Sequence, residues 1–341
     1  EHSRIYSYVE LPTGQGIYMW NDYNEDGLQQ ANEFELAIYP DQKKFIRIIT
    51  PTNEYQKVNY VTLNHSLQLN PENIWLAAEK RKKWQTFMSR FSDQLSLQIN
   101  NRMLAEEGFK AFNPFASKVN DTSIIASLTS ISNTFFFNRN STAWGAEYTT
   151  SYNGGKSLLT YGLEGNSQLR HMTKLRWAII KTLTGTVAAQ TGRREYQSAL
   201  ADGRTYKVAV NAIEPSLTWL LQSALRITGS YKMDNRENRP ELGPEKAVIQ
   251  SFIIDSRFTT PGLGTVMARA TYADIQYNAQ ANTSISFVML DALQKGTNLL
   301  WYLNWERRLS KGIELSLEYE GRKPGDNPVV HTGRMSIRAI L

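Results

Sequence analysis

Asp22, Asn24, Asp26 and Glu33 carry side-chain oxygens at a spacing that suits a hard divalent cation. The run Asp22-x-Asn24-x-Asp26-Gly27-x5-Glu33 fits the calcium-loop template position by position. Carboxylates and an amide occupy loop positions one, three and five. Gly27 falls at six, where the chain must turn sharply. Leu28 would offer its backbone carbonyl, Gln30 falls at the water-bridging position, and Glu33 would close the site bidentately. Calcium takes six to eight oxygens, which explains the choice of residue types. The bland alternative is a polar turn that happens to match. Gln29 occupies position eight, where paired loops usually carry an aliphatic residue. There is one loop and no good helix on either side. The reading is therefore an isolated, structural calcium loop, not half of a sensor pair. Glu35 and Asp41 are spare carboxylates nearby.

Other chemistry is faint. Cysteine is absent, so disulfides, thiolate zinc sites and thiol catalysis are excluded. The four histidines, His2, His65, His171 and His331, share no metal-ligand spacing. His331 reads as a structural or interface histidine. No Ser/His pair of a barrel lipase assembles, and Asn153-Gly154-Gly155-Lys156 lacks the spacer of a phosphate loop. The expectation is a non-enzymatic protein. Net charge is +6, but the bases are scattered among strand-like segments, so nucleic acid is not expected as a partner.

The elements that must position the loop read overwhelmingly as strands. Leu299, Trp301, Leu303 and Trp305 alternate with Leu300, Tyr302, Asn304 and Glu306. Ile313, Leu315, Leu317 and Tyr319 alternate with Glu314, Ser316, Glu318 and Glu320, and Met335, Ile337 and Ala339 with Arg334, Ser336 and Arg338. Such strands suit a soluble sandwich or an outer-membrane barrel equally. Connections decide between them. Tight turns at 138–140, 180–182, 222–223, 261–264 and 310–312 alternate with mostly longer links at 104–121, 198–204, 235–245, 279–296 and 323–328. Asn153-Gly154-Gly155 is a short exception. Short periplasmic turns opposite long outer loops are a barrel's asymmetry. Strands of about 10–15 residues also exceed the soluble norm of roughly 5–6. The expected fold is all-β, a transmembrane antiparallel up-and-down β-barrel of about 14 strands, within a range of about 12–16. Residues 43–50 are taken as the fourteenth strand. Pro71-Glu72-Asn73, with Ile74, Ala77, Ala78, Trp84, Met88 and Phe91 at helical spacing, predicts one helix near 71–91. Its basic run Lys80 to Lys83 is a solvated face or a membrane-surface face. Residues 1–53 form an N-terminal segment carrying the calcium-type loop, and 54–341 the barrel. Glu1-His2-Ser3 has no initiating Met and reads as a continuation of a larger chain.

Several strings resemble the C-terminal β-barrel region of large, mostly uncharacterised outer-membrane proteins of the Bacteroidota. They are Trp20 to Gly27 continuing to Asn32-Glu33-Phe34-Glu35, Asp41 to Arg47, Ile213-Glu214-Pro215, Asn304 to Ser310, Glu318 to Arg322 and His331 to Arg334. The resemblance spans nearly the whole chain and implies a bacterial outer-membrane location, with outer-membrane lipid around the barrel. Protein partners in a multi-subunit envelope complex are expected, for outer-membrane protein assembly or surface-protein export of the type IX kind. A pore or transporter for small solutes is the first alternative. A soluble surface calcium-binding β-protein is the second.

Overall fold

The computed structural model describes residues 2–55, 57–75, 82–105, 123–159, 162–198, 204–222, 224–310 and 312–339. Four N-terminal strands form one sheet: β1 His2–Glu10, β2 Tyr18–Trp20, β3 Phe34–Leu36 and β4 Phe45–Tyr55, in the order β1-β4-β2-β3. Two short helical pieces follow β5 (Val58–Leu69): a 3-10 turn at Pro71–Trp75 and α1 at Lys83–Met88. The chain then runs β6 Phe91–Leu104, β7 Ile124–Phe137, β8 Trp144–Leu159, β9 Gly162–Ile180, β10 Leu183–Ser198, β11 Tyr206–Leu221, β12 Leu225–Asn238, β13 Lys246–Thr260 and β14 Gly264–Tyr277. Helix α2, Ser284–Met289, precedes β15 Gly296–Ser310, β16 Ile313–Pro324 and β17 Val330–Ala339. Strands β5 to β17 make one 13-stranded sheet in sequence order, every neighbouring pair antiparallel. This is the up-and-down barrel sheet that the alternation and the loop lengths predict.

The outward face explains its surroundings. Across β9 to β17, Leu175, Trp177, Ile213, Leu217, Trp219, Phe252, Ile254, Tyr272, Leu303, Met335 and Ile337 all point out and are exposed. A soluble protein does not leave so large an apolar surface in water. In cross-strand register, the apolar band runs from the row Tyr231–Phe252–Tyr272–Leu299 to the row Leu225–Phe258–Val266–Trp305. At ~3.4 Å per residue that is about 20 Å, close to the roughly 25 Å apolar belt of an outer-membrane barrel. Trp144, Trp177, Trp219 and Trp305 lie at the tight-turn end, where interfacial aromatics belong. Two outward histidines satisfy themselves locally: Tyr148 OH lies 2.8 Å from His171 Nδ1, and Tyr319 OH 2.9 Å from His331 Nδ1.

The polarity of the two faces swaps along the strands. In the tight-turn half of β11, Leu217 and Trp219 face out while Ser216 and Thr218 face in. In its long-loop half Lys207 and Asn211 face out, while Val208 and Val210 face in and are buried. Ala247 and Ile249 of β13 and Ile275 and Tyr277 of β14 join them. This inner apolar patch is covered by Met289 and Leu290, at the end of α2. Beyond the band, the outward face carries ion pairs such as Lys246–Glu237 at 2.6 Å. The lower half is therefore built for lipid outside and water inside, and the upper half is built like a soluble β-protein.

Three expectations need correction, and a fourth gains detail. Phe45–Tyr55 is not the fourteenth barrel strand but pairs with β1. An aromatic core holds it there: Phe34 stacks on Tyr8 at 3.9 Å and meets Phe45 edge-on at 5.1 Å. Asn153-Gly154-Gly155 is no turn, because β8 continues through it in register with β7 and β9. The Tyr152 side chain occupies the space beside Gly154 that a Cβ would need. The segment 71–91 contains two short helical pieces instead of one described helix, with 76–81 outside the described residues. The 279–296 link contains α2 and folds against the inner wall.

Candidate functional site

The calcium-type loop is the connection between β2 and β3. Trp20 pairs with Phe34 across these strands, and Asn21 N–H donates to the Glu33 carbonyl at 2.9 Å, closing the loop at its base. Inside it the backbone wraps around Asp22, whose carboxylate accepts from the N–H groups of Asp26 (3.2 Å) and Gly27 (2.8 Å). Glu25 and Gly27 adopt positive φ, 59° and 72°, so the sharp turn falls at the template glycine. Carboxylate oxygens of Asp22, Asp26 and Glu33 lie within 4.8 Å of one another. Glu33 is 1% exposed, and its Oε2 accepts from Trp20 Nε1 at 2.8 Å and Gln30 N–H at 3.2 Å.

The other three template residues sit at the margin. Asn24 and Gln30 each turn an amide N–H₂ toward Asp26 Oδ2, at 2.9 and 2.6 Å, and Leu28 donates its N–H to Asp26 Oδ1 at 2.7 Å. The donor set of three clustered carboxylates with an amide oxygen beside them fits a hard cation. To present oxygen to an ion, Asn24 would give up the Asp26 N–H that its Oδ1 accepts at 3.2 Å, and Asn24 and Gln30 would both release Asp26 Oδ2.

The same sheet carries a second constellation that spans the barrel. Glu35 on β3 accepts from Arg204 Nη2 at 2.9 Å, Ser284 Oγ at 2.7 Å and Tyr23 OH at 3.3 Å. Arg204 and Glu35 are almost withdrawn from water, at 11% and 12% side-chain exposure. Burial pushes the Glu35 carboxyl up, against the opposing pull of Arg204 and the two hydroxyls. Across the lumen, Asp41 accepts from Arg322 of β16 at 3.3 Å (Nε) and 2.5 Å (Nη2), and that guanidinium lies over the Tyr39 ring at 4.5 Å. Burial pushes the Tyr39 hydroxyl up to about 12.

Asp291, just after α2, binds Arg194 at 3.0 Å and Arg236 at 2.6 Å. Burial pushes its carboxyl up, but the two arginines outweigh that and hold it below its ordinary value. Tyr39 OH donates to the Asp291 carbonyl at 3.4 Å. The N-terminal sheet is thus tied to β16 on one side and to the 204 loop and α2 on the other. It occupies the lumen at the long-loop end. The sequence marks Glu35 and Asp41 as spare carboxylates and Arg322 as an interior charge of the lumen, but gives no sign of Arg204, Ser284 or Asp291, nor of which partners meet. No local pattern joins partners that lie 169 to 281 residues apart.

No family model matches the chain. No curated protein matches it either. Among solved structures, it is similar to a loop-deletion form of OmpT, an outer membrane protein of Vibrio cholerae. The identity there is 10% and the TM-score 0.38, over 84% of this chain and 99% of that one. It is also similar to CdiB from Acinetobacter baumannii, at 8% identity and TM-score 0.40, over 99% of this chain and 60% of that one. Such values say nothing of activity. The chain's own strands, faces and register make it an outer-membrane-type β-barrel with an occupied lumen.

Proposed function

We propose that the chain acts in a bacterial outer membrane as an anchor and docking subunit of an envelope assembly, one that assembles outer-membrane proteins or exports surface proteins. The observation that carries this reading is the pair of free edges. Strands β5 and β17 end the 13-stranded sheet, and among the described residues neither pairs with the other. Unpaired backbone groups in lipid are costly, so a spanning sheet needs closure. Twelve antiparallel steps leave β5 and β17 pointing the same way. A strand from a partner, running from the tight-turn end toward the long-loop end, pairs antiparallel with both. Photocrosslinking residues placed at Leu63 and Met335 in cells test this. Adducts to a second polypeptide at both edges are expected. A β5–β17 crosslink within one chain, with no partner adduct, sinks the docking role.

A pore for small solutes is the second reading. A cavity of about 540 Å³ lies between the N-terminal sheet and the wall, lined by Tyr8, Glu35, Arg47, Glu164 and Arg194 among others. Planar-bilayer conductance separates the two: the docking reading expects a silent barrel, and stable current steps favour the pore. In either case the loop of Asp22, Asn24, Asp26, Leu28, Gln30 and Glu33 is proposed to take calcium as a structural ion that stiffens the β2–β3 connection. Glu35 follows directly on that connection, so the ion would hold the lumen-filling sheet against Arg204.

A further inference from the structure

A second lumen cavity, of about 570 Å³, runs from the tight-turn half of β12 to β14 to the long-loop ends of β16 and β17, under Tyr39 and Asp41. Its wall carries two arginines in direct opposition: Arg226 of β12 is the cross-strand partner of Arg257 of β13. Like charges placed so are destabilising unless something negative lies between them. The nearby carboxylates are engaged elsewhere. Asp255 holds Arg269 at 2.5 Å, and Asp41 holds Arg322. Glu320 also lines the cavity, but from β16, three strands around from β13, or roughly 14 Å at ~4.8 Å per strand. Among the described residues no carboxylate pairs with Arg226 or Arg257. Beside the polar Thr228, Thr271 and Thr332, the wall carries an apolar group that a barrel lumen ordinarily lacks: Met267, Leu300 and Val330, with the rings of Tyr39 and Tyr302.

We propose that this cavity binds a single-chain anionic amphiphile, its phosphate or carboxylate headgroup held by Arg226 and Arg257 and its chain lying against Met267, Leu300 and Val330. Two guanidinium groups from adjacent strands present the forked donors that match such oxyanions bidentately. The volume falls within the range of small-ligand sites, roughly 300–1,000 Å³. The two arginines lie on β12 and β13, away from the free sheet edges, so their binding of the headgroup stands or falls separately from the docking role.

Titrating hexyl phosphate into the full chain in phosphatidylcholine nanodiscs by calorimetry tests it, with inorganic phosphate and hexyltrimethylammonium as comparisons. One hexyl phosphate per chain is expected, at least 10-fold tighter than inorganic phosphate, with no binding of the cation. The double variant R226Q/R257Q should lose at least 10-fold, whereas R139Q, on a distant turn, should bind like the parent. Hexyl phosphate should raise the parent's melting temperature. The double variant's own melting temperature should be no lower than the parent's, because a like-charge contact has been removed. Should the double variant not fold, R226Q and R257Q are titrated singly, and each should lose several-fold. Equal binding of inorganic phosphate, equal binding of the cation, or unchanged affinity in the arginine variants overturns the proposal.

Discussion

Replacing Arg204 by Gln removes the cation that faces Glu35 in the lumen. The pair is buried, and breaking a buried pair by deleting one partner costs about 3–5 kcal/mol, because the remaining charge is stranded. Glu35 keeps two donors, Ser284 and Tyr23, so the low end applies, about 3 kcal/mol. That is roughly a 100-fold shift in the opening equilibrium of the N-terminal sheet, at about 1.4 kcal/mol per decade. The pH dependence has a definite sign. Folding raises the Glu35 pKa above its ordinary value, so the docked sheet binds more protons than the released one. The contribution of Glu35 to docking is present in full below the unfolded value and declines as pH rises through the folded one. Without Arg204 the folded value climbs further, and the decline extends to higher pH. In acid, where Glu35 is neutral, the variant loses only the worth of a neutral hydrogen bond, about 1 kcal/mol. Hydrogen exchange of the 34–50 peptides, corrected for intrinsic rates, reads the opening directly. Protection should fall about 100-fold where Glu35 is ionised, and the loss should shrink toward about 5-fold as pH falls below the ordinary glutamate value. Equal protection in parent and variant across the pH range would mean that Arg204 does not hold the sheet through Glu35.

Two further outcomes follow from other parts of the molecule. Calcium at 100 times its dissociation constant should stabilise the parent by about 2.7 kcal/mol, seen as a rise in melting temperature. Asp22→Ala and Glu33→Ala should each abolish that rise, and its absence in the parent refutes the metal site. Ile254→Lys, in the middle of the outward apolar band, should cost about 2–4 kcal/mol in lipid-reconstituted unfolding. Thr271→Lys faces the lumen from the neighbouring strand and should cost less than about 1 kcal/mol. Equal costs would mean that the two faces are not differently solvated.

Much of the barrel was legible because a strand's side-chain period is two and the connections alternate in length. Leu299 to Trp305 and Ile313 to Tyr319 take the faces their alternation assigns. The swap of polar and apolar faces was not legible. Val208 and Leu217 lie on opposite faces of β11, yet each sits in a run that simply alternates. Only the register against β12 and the cover from Met289 and Leu290 distinguish them. Phe45–Tyr55 has strand character, and its choice of sheet depends on Phe34 and Tyr8, which lie outside its own pattern. The glycines of β8 read as a turn because a tyrosine's packing on glycine leaves no signature along the chain. At the candidate site, the cluster of Asp22, Asp26 and Glu33 was readable from spacing, since a single loop supplies it. The tethers at Arg204, Arg322 and Asp291 were not, because folding alone brings them to Glu35, Asp41 and Arg236.

A single-cysteine scan along β13 tests the two-zone barrel most directly, and the natural sequence contains no cysteine to interfere. Spin labels from Lys246 to Phe258 would be read for oxygen and for a water-soluble nickel reagent in reconstituted membranes. Oxygen-dominated relaxation is expected at Phe252, Ile254 and Phe258, and nickel-dominated relaxation at Asp255 and Arg257. Above the band the pattern should invert, with nickel access at Lys246 and Val248 and neither reagent reaching Ile249. Nickel access at Phe252 and Ile254 equal to that at Arg257 would contradict the two-zone barrel.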